Sequence, residues 1–247
     1  MVQGLSQQWE AYELHHHQTW EKLYGRQRKN LKGKASDLFL ICLDKMQDSL
    51  TSALVPRVDA MEEELHTATG WRLKVVPGLI PVQDFFELLA AKRFCTSTWV
   101  RQPHQLDYIE EPDMFHDTFG HIPPLLNRDF AAFMNRFGEI GVALIRAGHH
   151  DAVLRLQRLY WYVVEFGFLK NSEGEAKVLG AGIISSFGET EYAWSRRFKL
   201  KQFELSRVME TSFRTDEIQQ EYFVLNDLVQ LRLELNGWFD QFNLSHG

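Results

Sequence analysis

The sequence predicts a mainly α-helical fold, built as a single domain of helices and long ordered loops with a few short strands. Apolar residues recur at helical spacing over long segments, for example from Phe130 to Ile145. Prolines and glycines interrupt segments 75–82 and 180–189, which are predicted to leave the helical pattern. The 247 residues contain no repeat or linker, and their 45% apolar content is ample for one core.

The first third of the chain is predicted to form helices joined by polar loops. Asp59 and Glu62 have the spacing of a helix-capping pair, and Gly70 is expected to end the helix that they begin. Two prolines predict a loop or an extended segment over 75–82, because proline disrupts helix interiors. A further helix is expected over 84–94.

The remaining elements follow from similar signals. Residues 95–115 lack helical periodicity and are predicted to form a long ordered loop with short strands. Asn127 is a candidate N-cap for the helix that follows, and Asp151 is expected to open the next one. The glycine-rich, β-branched segment 180–189 suggests a turn or short strands, and the last 45 residues return to helical patterning.

Composition excludes several classes of function. The formal net charge of −6 gives no electrostatic reason to expect nucleic acid or an anionic membrane as a partner. No apolar run approaches the roughly 20 residues that span a bilayer, and no signal peptide is recognisable. Cys42 and Cys95 lie in apolar surroundings and are predicted to be reduced core residues, which is typical of a cytoplasmic protein.

Two histidines form the first half of a candidate metal site. His116 and His121 are five residues apart, which on an unbroken helix is a rotation of roughly 140°, so they would not share a face. Gly120 and the two prolines after His121 are expected to end the helix and bring the imidazoles together. Asp113 and Asp117 flank the pair and are able to orient metal-bound imidazoles.

Glu165 supplies a candidate third ligand. It is the one carboxylate in the apolar segment 159–169, and a buried carboxylate is costly unless it is paired or bound to metal. Two histidines and one carboxylate form the facial triad of non-haem iron(II) oxygenases. Spacing alone leaves open that Glu165 pairs with Arg155 or Arg158, and that the histidines are structural.

The other histidine clusters are less suited to metal binding. His15, His16 and His17 are predicted to lie on a solvated helix face, and His149 and His150 in a surface loop.

Long motifs, taken together, resemble a known family. The segments EEPDMFHDTFGHIPPLL, LYWYVVEFGFL and GAGIISSFGE occur in this order, after VPGLIPVQDFFELLAAKRF and RQPHQLDYIEEPD. From about Trp9 to Leu231 the chain closely resembles the bacterial branch of the pterin-dependent aromatic amino acid hydroxylases. The resemblance implies that His116, His121 and Glu165 hold Fe(II) and are the catalytic residues.

The resemblance also implies substrate and pterin contacts. Arg101 would pair with the substrate carboxylate, as a bidentate guanidinium does, and Asp113 would position that arginine. The further substrate contacts implied are Pro112, Trp161, Phe166, Ser185 and Ser186. The pterin would stack on Phe85. The other pterin contacts implied are Gly78, Leu79, Ile80, Asp117 and Tyr160.

The activity implied is conversion of L-phenylalanine to L-tyrosine with O2 and a tetrahydropterin such as tetrahydrobiopterin. The resemblance further implies one catalytic domain over 1–247, with a hydroxylase core at about 9–231. Animal relatives carry a regulatory domain and a tetramerisation helix, for which 247 residues leave no room, so a monomer is expected. Ile109–Glu110 replaces their Thr-Pro pair in the substrate loop, which leaves the substrate contacts there open.

Other functions remain alternatives. A tryptophan 5-hydroxylase or another aromatic amino acid hydroxylase would use the same mechanism, because size discrimination in apolar pockets is modest. A zinc hydrolase would use the same ligands, but the HExxH motif of many such enzymes is absent. A 2-oxoglutarate oxygenase would carry an HxD pair on a β-barrel, and a non-catalytic helical binding protein would not need Glu165 to be acidic.

Overall fold

The computed structural model describes most of the chain. The described residues are 5–107, 109, 111–195, 199–215, 217 and 219–246, without the side chains of the last two.

The described residues form a mainly helical structure, as predicted. The α-helices are α1 (Leu14–Asn30), α2 (Asp37–Lys45), α3 (Val58–Thr69), α4 (Val82–Ala90), α5 (Arg128–Arg146), α6 (His150–Tyr160), α7 (Ala181–Ile184), α8 (Phe187–Trp194), α9 (Leu205–Glu210) and α10 (Leu228–His246). Two π-helical turns, His116–His121 and Trp161–Glu165, are named the first and second π-turn. Short 3-10 turns lie at Trp9–Ala11, Pro103–Gln105 and Pro123–Leu126.

The strands are short and form two small sheets. They are β1 (Arg72–Val75), β2 (Arg93–Thr96), β3 (Phe168–Lys170), β4 (Ala176–Val178), β5 (Lys199–Gln202) and β6 (Glu221–Leu225). β1 and β2 pair in parallel, with Arg72 opposite Arg93. The second sheet has the order β4-β3-β6-β5, in which only the β3–β4 pair is antiparallel. The few short strands predicted are therefore confirmed.

Helix α5 is the centre of the packing. The Asn127 side chain accepts hydrogen bonds from the backbone N–H groups of Asp129 and Phe130, both at 3.0 Å, which confirms the predicted N-cap. Its buried face includes Phe133 and Phe137, and α4 packs closely against it. Burying one such ring contributes on the order of 1.5–3 kcal/mol. The core is continuous from α1 to α10, so the α-helices form one body around the site described below.

Two helix boundaries differ in their agreement with prediction. Gly70 ends α3 in the left-handed conformation, with a φ of 77°, as expected of a C-terminal glycine. The predicted capping pair at the other end is wrong, because Arg57 holds the N-cap position and its own side chain makes no capping hydrogen bond; the Gln7 side chain accepts from the Val58 N–H at 2.9 Å instead. Glu62 instead accepts a hydrogen bond from the Leu73 N–H at 2.8 Å and so connects α3 to β1.

The segment 180–189 is helical, and the prediction of a turn or short strands there is wrong. It forms α7 and the start of α8, and the Ser186 side chain caps α8 by accepting from the Glu189 N–H at 3.3 Å. Ile183, Ile184 and Gly180 are buried, and α7 packs against both π-turns, so tertiary packing outweighs the local preference. Within the described part of the chain, no helix is both long and apolar enough to cross a membrane.

Candidate active site

Three side chains converge at the centre of the molecule. His121 Nε2 lies 3.1 Å from His116 Nε2 and 3.2 Å from Glu165 Oε1, and His116 Nε2 lies 3.7 Å from Glu165 Oε2. His121 is buried, and the other two side chains are 18% and 14% exposed, so the cluster remains open on one side. The three residues predicted as metal ligands are thus brought together.

The first π-turn explains how two histidines five residues apart meet. Because a π-turn closes hydrogen bonds over five residues, it is wider than an α-turn and brings residues five apart onto one face. Gly120 and the two prolines were expected to end the helix, and the π-turn does end at His121, just before the 3-10 turn Pro123–Leu126. The histidines meet within the π-turn itself, however, and not because the chain turns back after it. The predicted convergence of the His116 and His121 imidazoles is confirmed.

The second π-turn presents Glu165. Phe166 N–H donates to Trp161 O at 2.9 Å, the i to i+5 bond that defines such a turn. The alternative in which Glu165 pairs with Arg158 is wrong, because that arginine donates to the Met209 carbonyl at 3.0 Å, whereas both ion-pair contacts of Glu165 are to the histidines. π-turns are rare and occur mainly at functional sites.

Two glycines let the backbones around the site approach closely. A Cβ on Gly120 would lie 3.1 Å from both Ala181 Cβ and Ala181 O, which brings α7 against the first π-turn. A Cβ on Gly180 would lie 2.3 Å from the Glu165 carbonyl oxygen, so only glycine fits beside the second π-turn. Helix α7 therefore contacts both segments that carry the triad.

Ser185, at the end of α7, sets the tautomer of His116. Its hydroxyl donates to the Ala181 carbonyl at 2.8 Å, so its oxygen is left to accept from His116 Nδ1–H, also at 2.8 Å. With the proton on Nδ1, the lone pair of Nε2 faces Glu165 and His121. An orienting contact of this kind is usual for a metal-bound histidine.

The electrostatic environment favours the metal-ligating forms of Glu165 and His116. Burial would raise the pKa of Glu165, but the adjacent His121 and then His116 outweigh it and lower that pKa to about 2. Burial lowers the pKa of His116 to about 4, against the opposing charge of Glu165. An ionised carboxylate and a neutral imidazole are the protonation states that a metal ion requires. Burial would lower the pKa of His121, but the charge and hydrogen bond of Glu165 outweigh it and raise that pKa, so metal binding would displace a proton from this imidazole.

The donor atoms fit one metal ion. Ligands that share one face of an octahedral ion, with bonds of roughly 2.1 Å, lie roughly 3 Å apart. The separations of 3.1 and 3.2 Å agree with that arrangement, and the third, 3.7 Å, is slightly wider. Among the described residues this is the one His, Cys, Asp and Glu cluster whose ligand atoms converge in this way.

Arg101 and Asp113 form a buried bidentate ion pair beside the triad. Arg101 Nε and Nη2 donate to the two Asp113 oxygens, each at 2.8 Å, and the side chains are 5% and 0% exposed. Asp113 also accepts from the backbone N–H groups of Arg101 and His116, both at 3.1 Å. The carboxylate thereby ties the arginine to the start of the first π-turn.

An apolar cavity of about 280 Å³ opens over the triad. Predicted residues in its wall are Gly78, Leu79, Ile80, Phe85, Pro112, Asp117, Tyr160 and Trp161, together with the three triad residues. Burial raises the pKa of Asp117 to about 7, although the Ser97 N–H, which donates to it at 2.6 Å, acts in the opposite direction. Burial also raises the pKa of Tyr160 well above 10, assisted by the charge of Glu165.

The remaining predicted residues lie just outside that cavity wall. Arg101 and Asp113 are joined to each other, Ser185 contacts His116, and Ser186 caps α8. Phe166 packs behind Trp161, with ring centroids 4.6 Å apart. Glu110 of the substrate-loop pair lies outside the described residues.

Several wall residues were not predicted from the sequence. They are Val76, Val82, Phe86, Phe94, Cys95, Gln157 and Phe213. Gln157 precedes Trp161 by one α-helical turn, a spacing that was available as a signal. Phe213 comes from a distant segment with no motif. Cys42 and Cys95 are both free thiols, as predicted.

The other histidine clusters lie elsewhere and have structural contacts. His16 Nδ1 accepts from the Glu13 N–H at 3.0 Å at the start of α1, and His17 Nδ1 accepts from the Val55 N–H at 3.1 Å. The prediction of a fully solvated face is therefore only partly right, since these rings are half-buried. His149 stands at the N-cap position of α6 and contacts the ring of Phe242.

Comparison of the sequence with known protein families identifies the class of protein to which this fold and triad belong. A family model described as biopterin-dependent aromatic amino acid hydroxylase matches residues 8–246. The chain therefore belongs to the biopterin-dependent aromatic amino acid hydroxylases.

Individual relatives narrow the comparison. The phenylalanine-4-hydroxylase of Chromobacterium violaceum is 42% identical over 228 residues, which is 92% of this chain and 75% of that protein. That of Ralstonia nicotianae is 44% identical over 216 residues, 87% of this chain and 67% of the relative. A crystal structure of the C. violaceum enzyme, with bound iron(III) and 7,8-dihydrobiopterin, matches with a TM-score of 0.88 and 41% identity, over 99% of this chain and 87% of that one.

Proposed function

We propose that this protein is a phenylalanine 4-monooxygenase, which converts L-phenylalanine to L-tyrosine with O2 and a tetrahydropterin at one Fe(II) ion. The observation that carries the proposal is the triad of His116, His121 and Glu165 at the base of an apolar cavity. The bacterial relatives that match it are named phenylalanine-4-hydroxylases. When bound, iron and pterin together supply O2 activation, chemistry that amino acid side chains lack.

The triad residues would hold the iron. Two imidazole nitrogens and one carboxylate leave about half of an octahedral ion's positions open for the reaction. Ser185 keeps the His116 lone pair directed at the ion, and Asp113 fixes the backbone N–H of His116. These contacts pre-organise the ligands, so little reordering is needed when iron enters.

The cavity wall would select and orient the substrate ring. Pro112, Trp161 and Phe213 present apolar surface to the cavity, and placing the ring there would exclude water from the reacting atoms. Phe166 supports this wall from behind by packing on Trp161.

A second group of wall residues would hold the pterin. Phe85 offers a ring face for stacking, and its own contact with Tyr160 is edge-on, with centroids 5.2 Å apart and planes at 89°. Gly78, Leu79 and Ile80 line the same side with backbone groups, and Leu79 is 76% exposed at the rim. Asp117 is placed to reach a pterin through water.

Arg101 would recognise the substrate carboxylate. The Arg101 guanidinium has five N–H groups. Two of them, Nε–H and one Nη2–H, donate to Asp113, so three remain for a second anion. Because Asp113 is fully buried and accepts four hydrogen bonds, it holds the arginine in a fixed position. Ser185 and Ser186 are the proposed contacts of the substrate backbone.

The organisation of the molecule is also part of the proposal. Residues 1–247 are proposed to act as one catalytic domain, with the hydroxylase core at about 9–231, which agrees with the family match over 8–246. A monomer in the cytoplasm is proposed, since both cysteines are free, as is usual in a reducing compartment. Partners would be small molecules, and sedimentation velocity of the purified protein tests the monomer.

The test is product formation from competing substrates. Purified apoprotein is loaded with Fe(II) and given tetrahydrobiopterin, O2 and equal concentrations of phenylalanine and tryptophan. We expect tyrosine to dominate, and to disappear when iron or pterin is omitted or when Glu165→Ala replaces the wild type. An excess of 5-hydroxytryptophan would keep the mechanism and change the substrate. Neither product from a folded, iron-loaded protein would contradict the proposal.

A further inference from the structure

Phe213 lies face to face with Trp161 in the wall of the cavity. Their ring centroids are 4.6 Å apart and their planes differ by 16°, so the rings are stacked. Both residues line the cavity over the triad. Trp161 belongs to the second π-turn, four residues before Glu165, whereas Phe213 lies in the segment that follows α9. The pair is therefore close to the reaction centre although its members are distant in sequence.

Packing alone holds the Trp161 indole in place. Its Nε1 is buried, and among the described residues it has no hydrogen-bond partner. The ring packs against both Phe213 and Phe166, each with a centroid distance of 4.6 Å. Aromatic pairs of this kind are worth about 0.5–1.5 kcal/mol beyond the area that they bury. Removing either neighbour would therefore free the indole to turn.

The backbone that carries Phe213 is anchored to the same helical segment as Glu165. The Tyr162 hydroxyl, from the second π-turn, donates to the Ser212 carbonyl at 2.7 Å. Arg158, one turn earlier on α6, donates to the Met209 carbonyl at 3.0 Å. Both contacts hold the segment just before Phe213. The Phe213 ring therefore has a defined position relative to Glu165.

We propose that Phe213 is a specificity-determining residue that restricts the cavity to substrates with a single aromatic ring. The inference rests on the proposed function and extends it from a reaction to a choice of substrate. Phe213 acts in two ways. Its own ring occupies space at the cavity wall, and by stacking on Trp161 it fixes the orientation of the indole that contacts the substrate ring. The two fused rings of an indole need more space beside this pair than a benzene ring does, so loss of the Phe213 ring would favour the larger substrate.

The test compares Phe213→Ala with wild type, using the ratio of kcat/KM for phenylalanine over that for tryptophan. We expect the ratio to fall about 10-fold or more, through a higher KM for phenylalanine and a lower one for tryptophan. Phe213→Tyr keeps the ring and should leave the ratio within about 2-fold of wild type. Titration calorimetry of the iron-loaded protein with each amino acid, without turnover, should show a higher Kd for phenylalanine and a lower Kd for tryptophan in Phe213→Ala than in wild type.

Phe203→Ala is the matched control. Phe203 is a half-buried phenylalanine in the neighbouring chain segment, outside the cavity wall, so its loss reports general damage to packing. An unchanged ratio in Phe213→Ala, or an equal fall in Phe203→Ala, would overturn the proposal. If Phe213→Ala fails to fold, Phe213→Leu takes its place with an expected fall of about 3-fold or more. A wild type that hydroxylates neither amino acid would instead remove the proposed function itself.

Discussion

Ser185 Oγ accepts a hydrogen bond from His116 Nδ1 at 2.8 Å, and the direction of that bond is set by a second one, from the serine to the Ala181 carbonyl. One hydroxyl thus fixes which nitrogen of His116, a proposed iron ligand, carries the proton. The contact depends on α7 approaching the first π-turn, which Gly120 allows. A site defined by three ligands therefore needs a fourth side chain to be ready for metal.

Replacing Ser185 is expected to weaken iron binding. In Ser185→Ala the His116 ring loses its orienting partner, and loss of such a contact typically reduces metal affinity about 10–100-fold. Competition with a chelator of known affinity measures the effect.

Ser186→Ala serves as the control for that variant. It removes the α8 N-cap instead, which should cost about 1 kcal/mol of stability and leave iron affinity near wild type. Equal loss of iron affinity in the two variants would show that general destabilisation, and not the contact with His116, is responsible.

Gln27 is expected to support the same region from a distance. Its side-chain amide, buried in α1, donates to the Ile184 carbonyl at 2.6 Å and to Thr190 Oγ1 at 2.8 Å. Because Gln27→Leu leaves the buried Ile184 carbonyl without this donor, it should lower the free energy of unfolding by about 1–3 kcal/mol in urea. Gln230→Leu, which breaks an exposed bond to Glu234, should stay within about 0.5 kcal/mol. Equal effects would contradict this account.

The Arg101–Asp113 pair is expected to be costly to break from one side. Asp113→Ala leaves the guanidinium buried without a counter-charge and should lower the unfolding free energy by about 3–5 kcal/mol. Glu139→Ala breaks the exposed pair with Arg136 and should cost at most about 1 kcal/mol. A loss of under 1 kcal/mol in Asp113→Ala, measured by the same urea titration, would mean that the pair is not needed for folding.

The contribution of Glu189 to stability should fall as the pH rises toward 7. Burial raises the pKa of this carboxyl from 4.5 to about 7, and the hydrogen bond from the Tyr222 hydroxyl opposes the rise only in part. The unfolded state then loses its proton first, so the contribution of Glu189 is fully present below about pH 4.5 and is lost through about pH 7.

Thermal unfolding between pH 4.5 and pH 7.5 tests this prediction. Glu189→Gln keeps a neutral hydrogen-bonding side chain at every pH, so the variant should lose less stability across that range than wild type does. Parallel melting curves for the two proteins would show that Glu189 is ionised throughout.

Much of the site was predictable because its signals are local. Two histidines, an acidic residue in an apolar segment and the motifs around them lie in short stretches, and all three ligands meet as expected. The cap at Asn127 and the end of α3 at Gly70 depend on a few neighbouring residues and were also confirmed. The two π-turns were missed, because one extra residue in a helical turn leaves the apolar periodicity almost unchanged.

Long-range contacts account for the rest. Gln27 and Ile184 are 157 residues apart, and no local sequence pattern at either residue predicts their contact. Phe213 reaches the cavity only because Tyr162 and Arg158 hold the segment before it. Helix α7 was predicted as a turn or strand because glycine disfavours a helix locally. In the structure its glycines instead allow close packing against Glu165.

The most direct test of the central claim, a single iron ion held by His116, His121 and Glu165, is tyrosine formation as a function of added Fe(II). Apoprotein with saturating phenylalanine, tetrahydrobiopterin and O2 should gain activity linearly up to one equivalent of iron and then no further. Zn(II) in place of Fe(II) should give no tyrosine, and Glu165→Ala should remain inactive at one equivalent. Activity without added or bound iron, or equal activity with zinc, would contradict the account.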